Sequence, residues 1–153
     1  MEIYIATSNK HKVSEFGEMF AAAGLKCVVR SAADVIGFES PVEDGGTFEE
    51  NAFIKAEALK RKAPPDAYVM ADDSGIVVDA LGGAPGIRSA RYCEGTDADR
   101  NAFLLKNMED KEDRACRFVC AIACVLADGE TVTVRGECEG ELLHENHGAG
   151  GFG

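Results

Sequence analysis

Short apolar runs alternate with segments of helical period along this chain, and that alternation restricts the fold more than any other feature. Glu2 to Thr7 (EIYIAT) reads as a short buried strand. From Lys10 to Ala23, the apolar positions Val13, Phe16, Phe20 and Ala23 keep one face at helical spacing, with Ser8 or Asn9 as the cap and Gly24 as the stop. Cys27 to Ser31 is a second strand. Thr47 and Glu50 make a T-x-x-E capping box that opens a helix to about Lys62, where Pro64 and Pro65 end it. Tyr68 to Ala71 reads as a strand running into a turn, Asp72-Asp73-Ser74-Gly75, with Ile76 to Leu81 as a further short strand. After a glycine-rich loop, Thr96 and Asp99 open a helix from about Asp97 to Met108. Arg117 to Ala127 and Glu130 to Cys138 flank Asp128-Gly129, a strong hairpin signal. The order βαβαββαββ predicts an α/β fold with a mixed sheet, and 153 residues suffice for one such domain.

Charge narrows the partners. Sixteen Lys and Arg stand against 27 Asp and Glu, a net charge of −11, whereas polyanion recognition begins with a basic footprint. Nucleic acid and anionic membrane are therefore not expected as partners. A small anionic ligand stays open, because a few lysines, backbone N–H groups and a metal ion can hold it. The longest apolar stretch, Phe118 to Ala127, has 10 residues, well short of the ~20 that span a bilayer. The opening MEIYIATSNK has no basic n-region, so no signal peptide is expected. Of six cysteines, Cys116, Cys120 and Cys124 share one face of a strand-like run and read as buried, reduced thiols of a cytoplasmic protein.

Three segments could carry chemistry. The turn from Thr7 to Lys12 leaves a strand and enters a helix, where anions settle on free N–H groups and the positive end of the helix dipole. Thr7, Ser8 and Asn9 add side-chain donors, and Lys12 offers an ammonium one turn in. The plainer alternative is N-capping by Ser8 or Asn9 beside solvated lysines. Next, Asp72 and Asp73 place two adjacent carboxylates at a strand end, costly unless a cation or proton sits between them. Such hard oxygens suit Mg²⁺, although an exposed acidic turn would look the same. Both candidates could face one crevice. Third, Glu43 in VEDGG is a possible second metal ligand and Lys55 a second phosphate contact, though each alone is more often a solvated surface residue.

Other motifs fail on context. Gly148, Gly150 and Gly153 satisfy G-x-G-x-x-G, but that fingerprint must open a helix with an acid about 20 residues later, which these 153 residues do not contain, so a dinucleotide site is not expected. His144 and His147 lack the H-E-x-x-H register, and there is no P-loop signature and no C-x-x-C.

Five stretches, in this order, resemble the inosine triphosphate pyrophosphatase (Ham1-like) family: ATSNKHKVSEF (6–16), EDGGTFEENAFIKA (43–56), ADDSGIVVDALGGAPGIRSARY (71–92), RFVCAIACV (117–125) and GAGGFG (148–153). The resemblance implies hydrolysis of ITP, dITP and XTP to a nucleoside monophosphate and pyrophosphate. It also implies Mg²⁺ dependence, a homodimer, and an elongated mixed sheet flanked by helices with a central nucleotide cleft. Carried over by position, Thr7, Ser8, Asn9, Lys10, His11 and Lys12 would wrap the triphosphate, with Lys55 assisting. Glu43 and Asp73 would hold Mg²⁺, Ser74 would touch substrate, Arg91 would lie near the phosphates, and Phe152 and Gly153 belong to a substrate-binding segment. Asp73 carries the base role in this reading. A metal-bound carboxylate is a weaker base, however, so Asp72 is the second candidate for orienting or deprotonating the water. In the family, GGFG continues into Tyr-Asp-Pro and later a Ser-His-Arg segment that reads the base, so the domain 1–153 is expected to be incomplete at its C-terminus. Two further readings stay open: a nucleotide-binding module without turnover, and a related pyrophosphatase acting on modified pyrimidine nucleotides.

Overall fold

The computed structural model describes residues 1–147, so GAGGFG, with Phe152 and Gly153, lies outside the described residues. Five strands form one sheet in the order β2-β1-β3-β4-β5. They are β1 (Glu2–Ile5), β2 (Val28–Ser31), β3 (Tyr68–Val78), β4 (Ala115–Val125) and β5 (Thr131–Glu141), with helices α1 (Lys10–Ala22), α2 (Phe48–Lys60) and α3 (Asp97–Asn107) between them. β1 is parallel to both of its neighbours, Ile5 standing opposite Ser31 on one side and Met70 on the other. β4 and β5 are joined through Asp128-Gly129, where Gly129 takes φ 90° and Leu126 N–H donates to Glu130 O at 2.8 Å. The expected mixed α/β sheet is the one observed. No helix among the described residues is long and apolar enough to cross a membrane.

Two compact units divide the chain, and β3, β4 and β5 contribute residues to both. The first comprises Met1–Asp73 and Ala121–Arg135. Its core gathers Tyr4, Val69 and Ala71 with Ala52, Ala56 and Leu59 of α2 and with Ala123 and Val125 of β4. The crossovers from β1 to β2 and from β2 back to β3 run in opposite directions, and the right-handed rule for such connections then puts α1 and α2 on opposite faces of the parallel strands. α2 begins at Thr47, whose hydroxyl accepts from Glu50 N–H at 3.1 Å. The capping box closes one residue further back than expected, because the Glu50 carboxylate accepts from Gly46 N–H at 2.7 Å instead of from Thr47 N–H. Thr47→Ala should cost about 1 kcal/mol, read as a drop of a few degrees in the thermal midpoint.

The second unit, Ser74–Cys120 with the segment from Gly136 onward, packs Val78, Leu104 and Met108 as its core. α3 carries the expected reciprocal cap between Thr96 and Asp99. Arg114 donates to the carbonyls of Met108, Leu142 and Leu143, which ties the chain after β5 to the end of α3.

Three expectations are corrected. Asp72-Asp73-Ser74-Gly75 is not a turn, because β3 runs unbroken from Tyr68 to Val78 and replaces the two short strands, while Asp79–Leu81 is a 3-10 turn. Gly75 belongs there because a Cβ would collide with Gly86 O and Ser89 Oγ; this glycine marks a close approach inside a strand rather than a bend. None of the six cysteines forms a disulfide, as expected, but none is buried: Cys116, Cys120 and Cys124 are half-covered, since Val119, Ala121, Ala123 and Val125 take the inward row of β4. Finally, the apolar face of α1 is only half-buried at Val13, Phe16 and Phe20, and Ala23 is exposed. The short strand β2 beneath it alternates exposed and half-buried residues and offers little cover.

Candidate active site

β1 stops at Ile5, level with Met70, while β3 continues past it. Asp72 and Asp73 therefore sit at the carboxyl edge of the parallel strands even though they lie inside β3. The chain leaves β1 for β2 on one side and lies against β3 on the other, so this edge is a switch point of the kind where ligands bind in α/β sheets.

Neighbouring residues of a strand point to opposite faces, and these two carboxylates do so. Asp72 meets the face of α1, where Lys12 Nζ lies 2.6 Å from its Oδ2. Asp73 meets the face of α2, on the same row as the core residues Val69 and Ala71. There Lys55 Nζ lies 3.2 Å from Asp73 Oδ1 and 3.2 Å from Glu43 Oε2. The idea of a single cation between Asp72 and Asp73 is overturned, because each carboxylate has its own lysine on its own face.

Burial pushes the Asp73 carboxyl above the ordinary aspartate value; the charge and hydrogen bond of Lys55 and the amide of Asn51 pull it down, while Glu43 adds to the rise. A raised carboxyl is a stronger base than an ordinary aspartate. The acidic loop before α2 is fastened from below. Gly46 N–H donates to Glu50, and Gly45 N–H donates to the Asn51 side chain at 2.9 Å. A Cβ on Gly45 would stand 2.7 Å from Asn51 Oδ1 and 2.8 Å from Glu50 Cβ, so this turn needs glycine to lie so close to the helix.

The β1–α1 loop supplies the second part of the site. Thr7 Oγ1 accepts from Asn9 N–H at 3.1 Å, and Asn9, not Ser8, caps α1 by accepting from His11 N–H at 2.9 Å. The first turn of α1 holds Lys10, His11 and Lys12 and no acid. Cations at a helix N-terminus oppose the dipole, and an incoming anion would relieve that. Ser8, Lys10 and His11 are exposed.

Of the residues expected from the sequence, Lys12, Glu43, Lys55, Asp72 and Asp73 are linked by ion pairs in the first unit. Ser74 follows Asp73 in β3, and Arg91 is exposed at the end of the 3-10 turn Gly86–Arg91, both in the second unit. Asn51 was missed. Its signal was available: it stands one turn before Lys55 on the apolar face that carries Ala52, Ala56 and Leu59, an amide where helical period calls for an apolar residue.

A model of the Ham1 family matches residues 3–153. The chain belongs to the Ham1 family. It is similar to a protein named dITP/XTP pyrophosphatase from Bacillus licheniformis, at 46% identity over 99% of this chain and 78% of the relative. A relative of the same name from Geobacillus kaustophilus is 44% identical over 99% of this chain and 74% of its own length. Among solved structures, the Ham1 protein of Staphylococcus aureus superposes with a TM-score of 0.87 at 37% identity, and a HAM1 protein from Coxiella burnetii with 0.88 at 33%. Each match covers 100% of this chain and 78% of the other. The mixed five-stranded sheet flanked by helices is thus shared with the matched part of these Ham1 structures.

Proposed function

We propose that this Ham1-family chain hydrolyses the non-standard purine triphosphates ITP, dITP and XTP to a nucleoside monophosphate and pyrophosphate. Relatives that match nearly all of this chain carry the name dITP/XTP pyrophosphatase. The observation that carries the reading is the buried Asp73, which shares one ammonium with Glu43 at the sheet edge where α1 begins. A water attacking the α-phosphorus loses a proton as the new P–O bond forms, and the Asp73 carboxylate takes it up. The bond from the α-phosphorus to its bridging oxygen breaks, and pyrophosphate departs with the electron pair. Lys12, Lys55 and the N-terminus of α1 hold the phosphates and take up the growing negative charge. Asp72 enters as the partner that orients Lys12.

The donor set suits Mg²⁺. Among the described residues no three His, Cys, Asp or Glu side chains gather around one point, so Glu43 and Asp73 would give two hard carboxylates and leave the remaining positions to phosphate and water. Charge makes the same point. Lys12 and Lys55 are already paired with Asp72, Asp73 and Glu43, so a bare triphosphate would compete with these carboxylates for their ammoniums. Bound there, Mg²⁺ would neutralise phosphate charge and polarise the phosphoryl oxygens. The free thiols suit a reducing compartment such as the cytoplasm.

The test is to incubate the folded chain with Mg²⁺ and dITP, dATP or dUTP in parallel and separate the products by chromatography. The expected products are dIMP and pyrophosphate, from dITP alone. Absence of any product would leave a nucleotide-binding module, and turnover of dUTP in preference to dITP would move the reading to pyrimidine nucleotides.

A further inference from the structure

We propose that Asn51 is a positioning residue that fixes the rotamer of Asp73 and docks the Glu43-bearing loop to it through a single amide. Asn51 is wholly buried, 0% exposed, in the second turn of α2. Its two ends are both used. Oδ1 accepts from Gly45 N–H at 2.9 Å, and Nδ2 donates to Asp73 Oδ2 at 3.3 Å. A backbone N–H can only donate, so the oxygen must face Gly45 and the NH₂ must face Asp73; the orientation of this amide is dictated by its partners. Asp73 Oδ2 is thereby engaged, which leaves Oδ1 as the oxygen turned to Lys55 and, in the proposed reaction, to the water. Gly45 is two residues after Glu43, so the same amide sets how far Glu43 stands from Asp73. A buried polar side chain with both ends satisfied specifies one arrangement where an apolar residue would allow several.

The inference rests on the proposed reaction for its kinetic consequence but not for its geometry, and two readouts separate these. Asn51→Asp keeps an oxygen for Gly45 N–H and removes the donor to Asp73. It should lower kcat for dITP by about 100-fold, the scale of a misplaced reacting group, while KM changes far less. A kcat fall smaller than about tenfold, or a loss confined to KM, would overturn the proposal. The second readout needs neither turnover nor a stable Asn51 variant. In ¹⁵N spectra of the whole chain, the Asn51 side-chain NH₂ pair should shift and exchange faster with water in Asp73→Ala. If that pair stays unchanged, the amide does not hold Asp73 and the proposal fails. Should the parent chain leave dITP intact, the proposed reaction falls while the spectra still decide the position of Asn51.

Discussion

Replacing Asp73 by asparagine is expected to lower kcat for dITP hydrolysis by about 10²–10⁴-fold, the range that a positioned general base supplies. The amide has nearly the shape of the carboxylate and cannot take up the proton. It also meets two donors, the Lys55 ammonium and the Asn51 NH₂, with one oxygen, so one donor must face another. The fold should survive. Val69 and Ala71 on the same row keep their packing on α2, Lys55 keeps Glu43, and a carboxylate that burial disfavours has been removed. Steady-state kinetics with a thermal melt on the same preparation checks this. A folded variant whose kcat stays within about tenfold of the parent would place the base elsewhere, with Asp72 the next to test. Asp72→Asn removes the ion pair with Lys12 on the α1 face, and its effect should appear chiefly in KM.

Lys55→Met should have the second-largest effect, and it acts on stability as well as rate. It leaves Glu43 and Asp73 without the ammonium they share. Breaking a fully buried pair costs about 3–5 kcal/mol, and here the expected loss is about 2–3 kcal/mol because the Glu43 side chain is 31% exposed. Activity should fall by about 100-fold with the loss of a charge that stabilises the departing pyrophosphate. Mg²⁺ should partly reverse the stability loss, because two carboxylates relieved of their lysine form a better cation site. Melting curves with and without Mg²⁺ decide it. Equal midpoints for parent and variant, with no response to the ion, would show that these carboxylates do not depend on a cation.

The sequence exposed the local devices and hid the distant ones. Thr47, Thr96 with Asp99, and Asp128-Gly129 each act within a few residues, and each does in the structure what its chemistry suggests. The partners of Asp73 lie 18 and 22 positions upstream, and that of Asp72 lies 60 positions away, so no local pattern could pair them. The misread turn has a related cause. Asp, Ser and Gly favour turns in isolation, yet they continue the in-and-out alternation of β3, with Asp73 and Gly75 on its inward row. Asp73 tolerates that place because Lys55 and Asn51 satisfy it, and Gly75 because Ser89 fills the space beside it. Tertiary partners overrode turn propensity at the very residues that carry the proposed chemistry. Glu43 and Lys55 tell the same story: each alone reads as surface, and only the ammonium that Glu43 shares with Asp73 makes them a site.

The loop before α2 hangs from that helix by two backbone amides, Gly45 on Asn51 and Gly46 on Glu50. Such fastening makes loop and helix start one cooperative opening unit. Fraying of α2 from its start through Asn51 would release both amides, swing Glu43 away, and free Lys55 from one of its two anions together. The Glu43 arm of the site is then docked or released as one piece, and its docked population is set by the hydrogen bonds at the start of one helix.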